Sequence, residues 1–213
     1  MKTRKIRTAL YNVLPGEKAH ALMAPRPKYI EGIEGVHPCP PVNSAILALI
    51  VPFENELALP LIKRVNRGKY HGGQIAFPGG KMEKEDADAL QTALRECHEE
   101  IGVPEEKVSI LGSLSDIYIP LSNFNITPIV GTTLQLPDFI LSQDEVEKVI
   151  LVKLRDLFDD RNKTTHSFVR HDHKIIAPGY KIGENFIWGA TAMIIAELEQ
   201  LMKTNTFNHL GKL

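Results

Sequence analysis

Cysteine is scarce in this chain. Cys39 and Cys97 are the only two in 213 residues. No CxxC pair and no HxxxH partner accompanies His37 and Cys39, so a zinc site of usual spacing is not expected there. Cys97 falls on the apolar side of a helical stretch and reads as a small buried hydrophobe. Two unpaired-looking cysteines predict a reducing, cytoplasmic setting. The start, MKTRKIRTALYNVL, is basic but lacks the uninterrupted apolar run of a signal peptide. No stretch approaches the roughly 18 apolar residues that span a bilayer, so no membrane partner is expected. Charge of one sign is also lacking: 25 basic against 26 acidic residues leave a formal charge of −1. No global field recruits nucleic acid or an anionic membrane. An anionic substrate must then be held by a local basic group or a metal. Internal repeats and low-complexity linkers are absent.

What is present is ordinary globular material. Hydrophobic residues make up 43% and charged residues 24%, enough to bury a real core in one domain with terminal additions. Residues 1–41 read as an N-terminal segment with one helix, ending in the proline-rich HPCPP and packing on the domain. Residues 42–203 read as the domain and 204–213 as a tail. The apolar run 44–53 predicts a buried strand, and 57–65 a second strand completing a hairpin. Pro60 either weakens the latter as a strand or places it at an edge. A short strand at 72–80 is bracketed by glycine pairs. A helix is predicted from about 86 to 101, stopped by Gly102 as a left-handed cap. Further strands are predicted at 107–119, 125–134 and 145–158, the last running into a short helix. One or two more fall at 166–189, and a closing amphipathic helix at 191–202. Strands interleaved with two good helices predict an α/β or α+β sandwich with a mixed sheet.

The helix at 86–101 carries the chemistry. Leu90, Ala93, Leu94, Cys97 and Ile101 form its apolar side, and Arg95, Glu96, Glu99 and Glu100 follow one another at its C-terminal end. Positions i, i+3 and i+4 share a face, so the three glutamates are predicted to converge. Carboxylates that close raise one another's pKa unless a cation is supplied. A solvated charged face is the plain alternative. Against it, the helix dipole disfavours anions at this end, and the preceding FPGG turn lets backbone approach a ligand closely. A hard divalent cation such as Mg²⁺ or Mn²⁺, bridging to substrate phosphates, would account for the patch.

The stretch resembles the Nudix box, G-x5-E-x7-R-E-U-x-E-E-x-G-U, with U an aliphatic residue. Gly80, Arg95, Glu96, Glu99, Glu100, Gly102 and Val103 fall in order, with Cys97 at the first U. Asp86 stands at the first acidic position, and eight residues rather than seven separate it from Arg95. That spacing is similar to the coenzyme A pyrophosphatase branch of Nudix hydrolases. The branch's upstream motif, L-L-T-x-R-S-x3-R-x3-G-x3-F-P-G-G, is met by PLIKRVNRGKYHGGQIAFPGG. Arg64, Gly73 and FPGG match, whereas Lys69 replaces the second arginine and loses its bidentate fork. NFNITPIVG and FIWGATAMIIAEL also resemble branch segments, so the likeness covers roughly 20–202.

The resemblance implies a Nudix α/β/α sandwich and metal-assisted attack of water on a pyrophosphate. It implies a nucleoside diphosphate substrate: coenzyme A or an acyl-CoA first, ADP-ribose or another nucleoside diphosphate next, and a non-catalytic ligand-sensing domain last. Glu96 and Glu100 are the expected metal ligands, completed by Glu99 and the Gly80 carbonyl. Arg95 is expected to orient a box carboxylate. Glu99 or Glu96 could be the general base, as could Glu145 in the later loop SQDEVEKV, which also offers Asp144 and Glu147. Arg64, Lys69, Arg67 and Gly79 are candidates for holding phosphates, and Gly79 and Gly80 also read simply as a tight turn. Trp188 and Phe124 divide between adenine stacking and core packing. The histidines of HSFVRHDH fit no ligand spacing. A homodimer is left open.

Overall fold

A strand apolar on both of its alternating sets must be covered on both faces, and the run beginning at Val42 is built that way. The computed structural model describes residues 2–26, 39–66, 73–170 and 173–204. In chain order the elements are α1 (Lys2–Leu10), α2 (Glu17–Met23), β1 (Val42–Phe53), β2 (Glu56–Arg64), β3 (Ile75–Ala76), β4 (Gly79–Lys81) and α3 (Ala89–Ile101). There follow β5 (Ser109–Ser113), β6 (Ile117–Ile119), β7 (Phe124–Thr132), β8 (Val146–Lys153), α4 (Leu154–Leu157), β9 (Lys163–Arg170), β10 (His173–Ile182), β11 (Asn185–Trp188) and α5 (Ala190–Thr204).

The main sheet runs β3-β2-β1-β7-β5, with β4 also paired to β1, β6 to β7 and β8 to β2. The β1–β7 ladder is parallel and the others are antiparallel, so the sheet is mixed. Side chains alternate across β1. Ala45, Leu47, Leu49 and Val51 meet Ala93, Leu94, Cys97 and Ile101 of α3. Ala48 and Ile50 meet Ile194, Leu198 and Met202 of α5 together with Ile6 and Met23 of the N-terminal helices. The result is a helix–sheet–helix sandwich, to which the antiparallel sheet β11-β10-β9 is added.

Four expectations change, the first being that the single strand predicted at 72–80 is two short ones, β3 and β4. Pro60 is not in an edge strand: β2 pairs β8 along one side, with Pro60 opposite Leu151. On its other side the β1 ladder ends at Ala58 and the β3 ladder begins at Ile62. Pro60, which has no N–H to donate, stands in the gap. The N-terminal segment forms two helices rather than one, and the stretch 166–189 belongs to three strands rather than one or two. Short alternating segments joined by tight turns do not reveal their number by period alone.

Candidate active site

The FPGG turn packs closely between β1 and the C-terminal half of α3. A Cβ at Gly79 would run into the Ala45 carbonyl and Ile46 of β1, and one at Gly80 into the Glu96 carboxylate. β4 is thereby laid flat between β1 and α3. Helix α3 is fixed at both ends: Asp88 accepts from Gln91 N at 2.9 Å, and Gly102 closes the helix at φ 71°.

The three glutamates do not share one environment. Glu100 is wholly buried, Glu96 half-buried and Glu99 exposed. Arg95 Nη1 donates to Glu96 Oε1 and to Glu99 Oε2, each at 3.0 Å. Its Nε and Nη2 form a fork on Asp86 at 3.0 and 2.9 Å, and Nη2 also reaches the Lys81 carbonyl at 3.1 Å. The guanidinium holds Asp86 well below the usual carboxylate range, helped by donation from Glu83 N and Thr92 Oγ1. The buried Asp86 thus anchors Arg95. The box spacing marks this position as acidic, but its role as an anchor lies in a loop geometry that the spacing does not encode.

Glu100 is held by other groups. Its Oε2 accepts from Gly79 N at 2.9 Å. Its Oε1 lies 3.3 Å from Arg64 Nη2 but off hydrogen-bonding geometry, so this buried oxygen has no hydrogen-bond partner. Burial pushes the carboxyl up to about 7, against the pull of Arg64 and Gly79 N and with the added repulsion of Glu96 and Glu145. Burial also raises Glu96, against Arg95. Cys97, on the buried side of α3, is raised to about 12 by burial, as suits an unreactive core thiol.

A cavity of about 760 Å³ opens beside this group. Gly79, Gly80, Arg64, Lys81, Asp144 and Glu145 line one end. Neither Glu96 nor Glu100 lines it; each stands behind a residue that does. Glu145 is exposed, just ahead of β8, and its carbonyl accepts from Val65 N at 2.9 Å, which ties it to the end of β2 beside Arg64. Glu147 faces elsewhere, paired with Lys63 at 2.8 Å. The other end is apolar, with Phe168, Ile175, Trp188, Met193 and Phe124. Trp188 and Phe124 therefore face the cavity, Trp188 also meeting Phe168 edge-on at 4.9 Å. His166 stacks on Phe186 at 3.8 Å. Arg67, Lys69, His71 and His37 lie outside the described residues, and Cys39 is exposed.

As the side chains stand, no trio of acidic, histidine or cysteine groups among the described residues converges on a point; Arg64 pairs with Glu100, and Arg95 with Glu96 and Glu99. The donor set still suits a hard divalent cation. Carboxylate oxygens and a glycine carbonyl are the ligand type such ions take, Glu100 Oε1 is buried without a hydrogen bond, and the space at Gly80 is kept for the Glu96 carboxylate.

Known proteins resemble this chain in sequence and in fold. The NUDIX domain family model matches residues 43–171. The chain is 34% identical over 161 residues to an uncharacterized Nudix hydrolase, NudL, of an Enterobacter strain, covering 74% of this chain and 82% of the relative. A NudL of Yersinia enterocolitica is likewise 34% identical, over 165 residues with the same coverage. Among solved structures, a Nudix hydrolase of M. smegmatis, RenU, aligns with a TM-score of 0.52 at 15% identity, covering 78% of this chain and 86% of that one. A NUDIX hydrolase of Nitrosomonas europaea gives 0.51 at 21% identity, covering 83% and 76%. These two likenesses concern the fold.

Proposed function

The chain belongs to the Nudix hydrolase family, and from that premise we propose that it is a divalent-metal-dependent diphosphatase acting on coenzyme A or an acyl-CoA. Water would be added across the pyrophosphate, giving 3′,5′-ADP and a 4′-phosphopantetheine product. The observation that carries the reading is Glu100: a buried carboxylate with one oxygen unbonded, directly behind the glycine turn that lines the cavity.

Glu96 and Glu100 would hold Mg²⁺ or Mn²⁺, with Glu99 and the Gly80 carbonyl completing the shell. The bound ion would neutralise phosphate oxygens and lower the pKa of water. Arg95, anchored on Asp86, keeps the Glu96 and Glu99 carboxylates in place. Arg64, from the wall of the cavity, supplies positive charge to the phosphates as well as to Glu100. Glu145, at the same end of the cavity and uncommitted to an ion pair among the described residues, would take the proton from the attacking water.

One observation favours a different nucleoside diphosphate such as ADP-ribose. Arg64 and Lys81 are the only cations among the described lining residues, and Lys69 stands where the branch has arginine, while coenzyme A carries a third phosphate. A panel of coenzyme A, ADP-ribose, NADH and diadenosine polyphosphates, assayed with Mg²⁺ and Mn²⁺, decides between them. Coenzyme A is expected to have the highest kcat/KM, and a clear lead for ADP-ribose would move the assignment there.

A further inference from the structure

The family match runs from 43 to 171, yet Ala24, Pro25, Trp188, Met193 and Ile194 line the same cavity. The diphosphate end comes from the matched region, and much of the apolar end from chain outside it. Ala24 and Pro25 are held at two points. Downstream, Arg26 exchanges a pair of backbone hydrogen bonds with Ile176, at 2.8 and 2.7 Å, next to the cavity residue Ile175. Upstream, α2 is fixed by His20, which is 5% exposed and has Nε2 2.9 Å from Glu197 Oε2 of α5. Glu197 is wholly buried, and its Oε1 accepts from Gly16 N at 3.0 Å and Ser115 Oγ at 2.7 Å. Burial raises this carboxyl, but those bonds and His20 outweigh it and hold it below the ordinary range. His20 and Ser115 each bond the carboxylate and neither lines the cavity, so the cluster is no nucleophilic relay. It joins α2 to the helix whose first turn, Ala190 to Met193, also walls the cavity.

We propose that His20 is a positioning residue for the substrate cavity: through Glu197 it seats α2 on α5 so that Ala24 and Pro25 form the wall that meets the organic substituent of the diphosphate. This rests on reading the cavity as the substrate site. Trp188, the single tryptophan of the chain, lines that cavity, so its quenching by acrylamide reads the wall without turnover. His20→Ala should open the wall, raising the Trp188 quenching constant by about twofold. It should also raise KM for coenzyme A or ADP-ribose, whichever the wild type turns over, by about fivefold and more than it lowers kcat. His20→Gln, which keeps a donor for Glu197, should restore both readings. Ala24→Leu, which removes no hydrogen bond, should lower the quenching and raise KM by filling the cavity. A folded His20→Ala protein with wild-type quenching and KM overturns the proposal. If His20→Ala does not fold, Ala24→Leu decides, and no change in either reading overturns it. Should the wild type hydrolyse neither compound, the proposed function fails while the quenching results still judge the wall.

Discussion

At the scale of single residues, the two glycines of the FPGG turn are constrained by different neighbours. Gly79→Ala drives a methyl group into β1 backbone, which cannot yield, and should cost about 3 kcal/mol or more in urea denaturation. Gly80→Ala meets only the free end of the Glu96 side chain. It should cost less than about 1 kcal/mol yet lower kcat by at least about tenfold by displacing that carboxylate. Equal stability losses would show that Gly80 is merely a turn residue. Glu100 makes a pH-dependent claim. Without metal its carboxyl sits at about 7, above an ordinary glutamate, so the folded chain keeps a proton that the unfolded chain releases. The resulting stabilisation is full below the unfolded value of about 4.3 and is lost as pH rises through about 7. Glu100→Gln does not titrate. In metal-free protein its stability relative to wild type should therefore rise steadily across that window, and a difference independent of pH would contradict the raised carboxyl.

Among the elements, α3 separates stability from chemistry. Asp88→Ala removes the N-cap bond and should lower stability by about 1 kcal/mol, seen as a lower urea midpoint with kcat retained. Asp86→Ala releases the Arg95 fork and should lower kcat as well, by about tenfold or more, because Glu96 and Glu99 lose their brace; retained kcat would leave Asp86 a purely structural anchor. This helix was the most legible element in the sequence. Its apolar period, its glycine stop and its box residues are all local. β1 and β2 were legible from composition, although Pro60 pointed to an edge because the gap between two ladders is a property of the sheet. The glutamate trio was legible as neighbours on one helix end but not in its division: Arg64, 36 positions before Glu100 in the numbering, pairs with one carboxylate, and Arg95 with the other two.

Over the whole molecule, what escaped the sequence is long-range. His20 and Glu197 are 177 residues apart, in two amphipathic helices whose buried polar residues break the apolar pattern without naming a partner. The fold joins them behind a cavity whose polar end is built by β2, β4 and the residues just ahead of β8, and whose apolar end is built in large part by chain beyond the family match. Among the described residues no helix is long and apolar enough to cross a membrane. With a formal charge of −1, attraction of an anionic substrate would have to be local, as the proposed function places it at Arg64 and a bound cation. The central claim is metal-dependent cleavage of a diphosphate at this site. Its most direct test is product analysis of coenzyme A and ADP-ribose incubated with the protein in Mg²⁺ or Mn²⁺, in excess EDTA, and with Glu100→Gln in place of wild type. The account expects the two halves of the diphosphate, 3′,5′-ADP and 4′-phosphopantetheine from coenzyme A, only with metal, and a rate lower by at least about a hundredfold for Glu100→Gln. Intact substrate under every condition, or cleavage that survives both EDTA and Glu100→Gln, would contradict it.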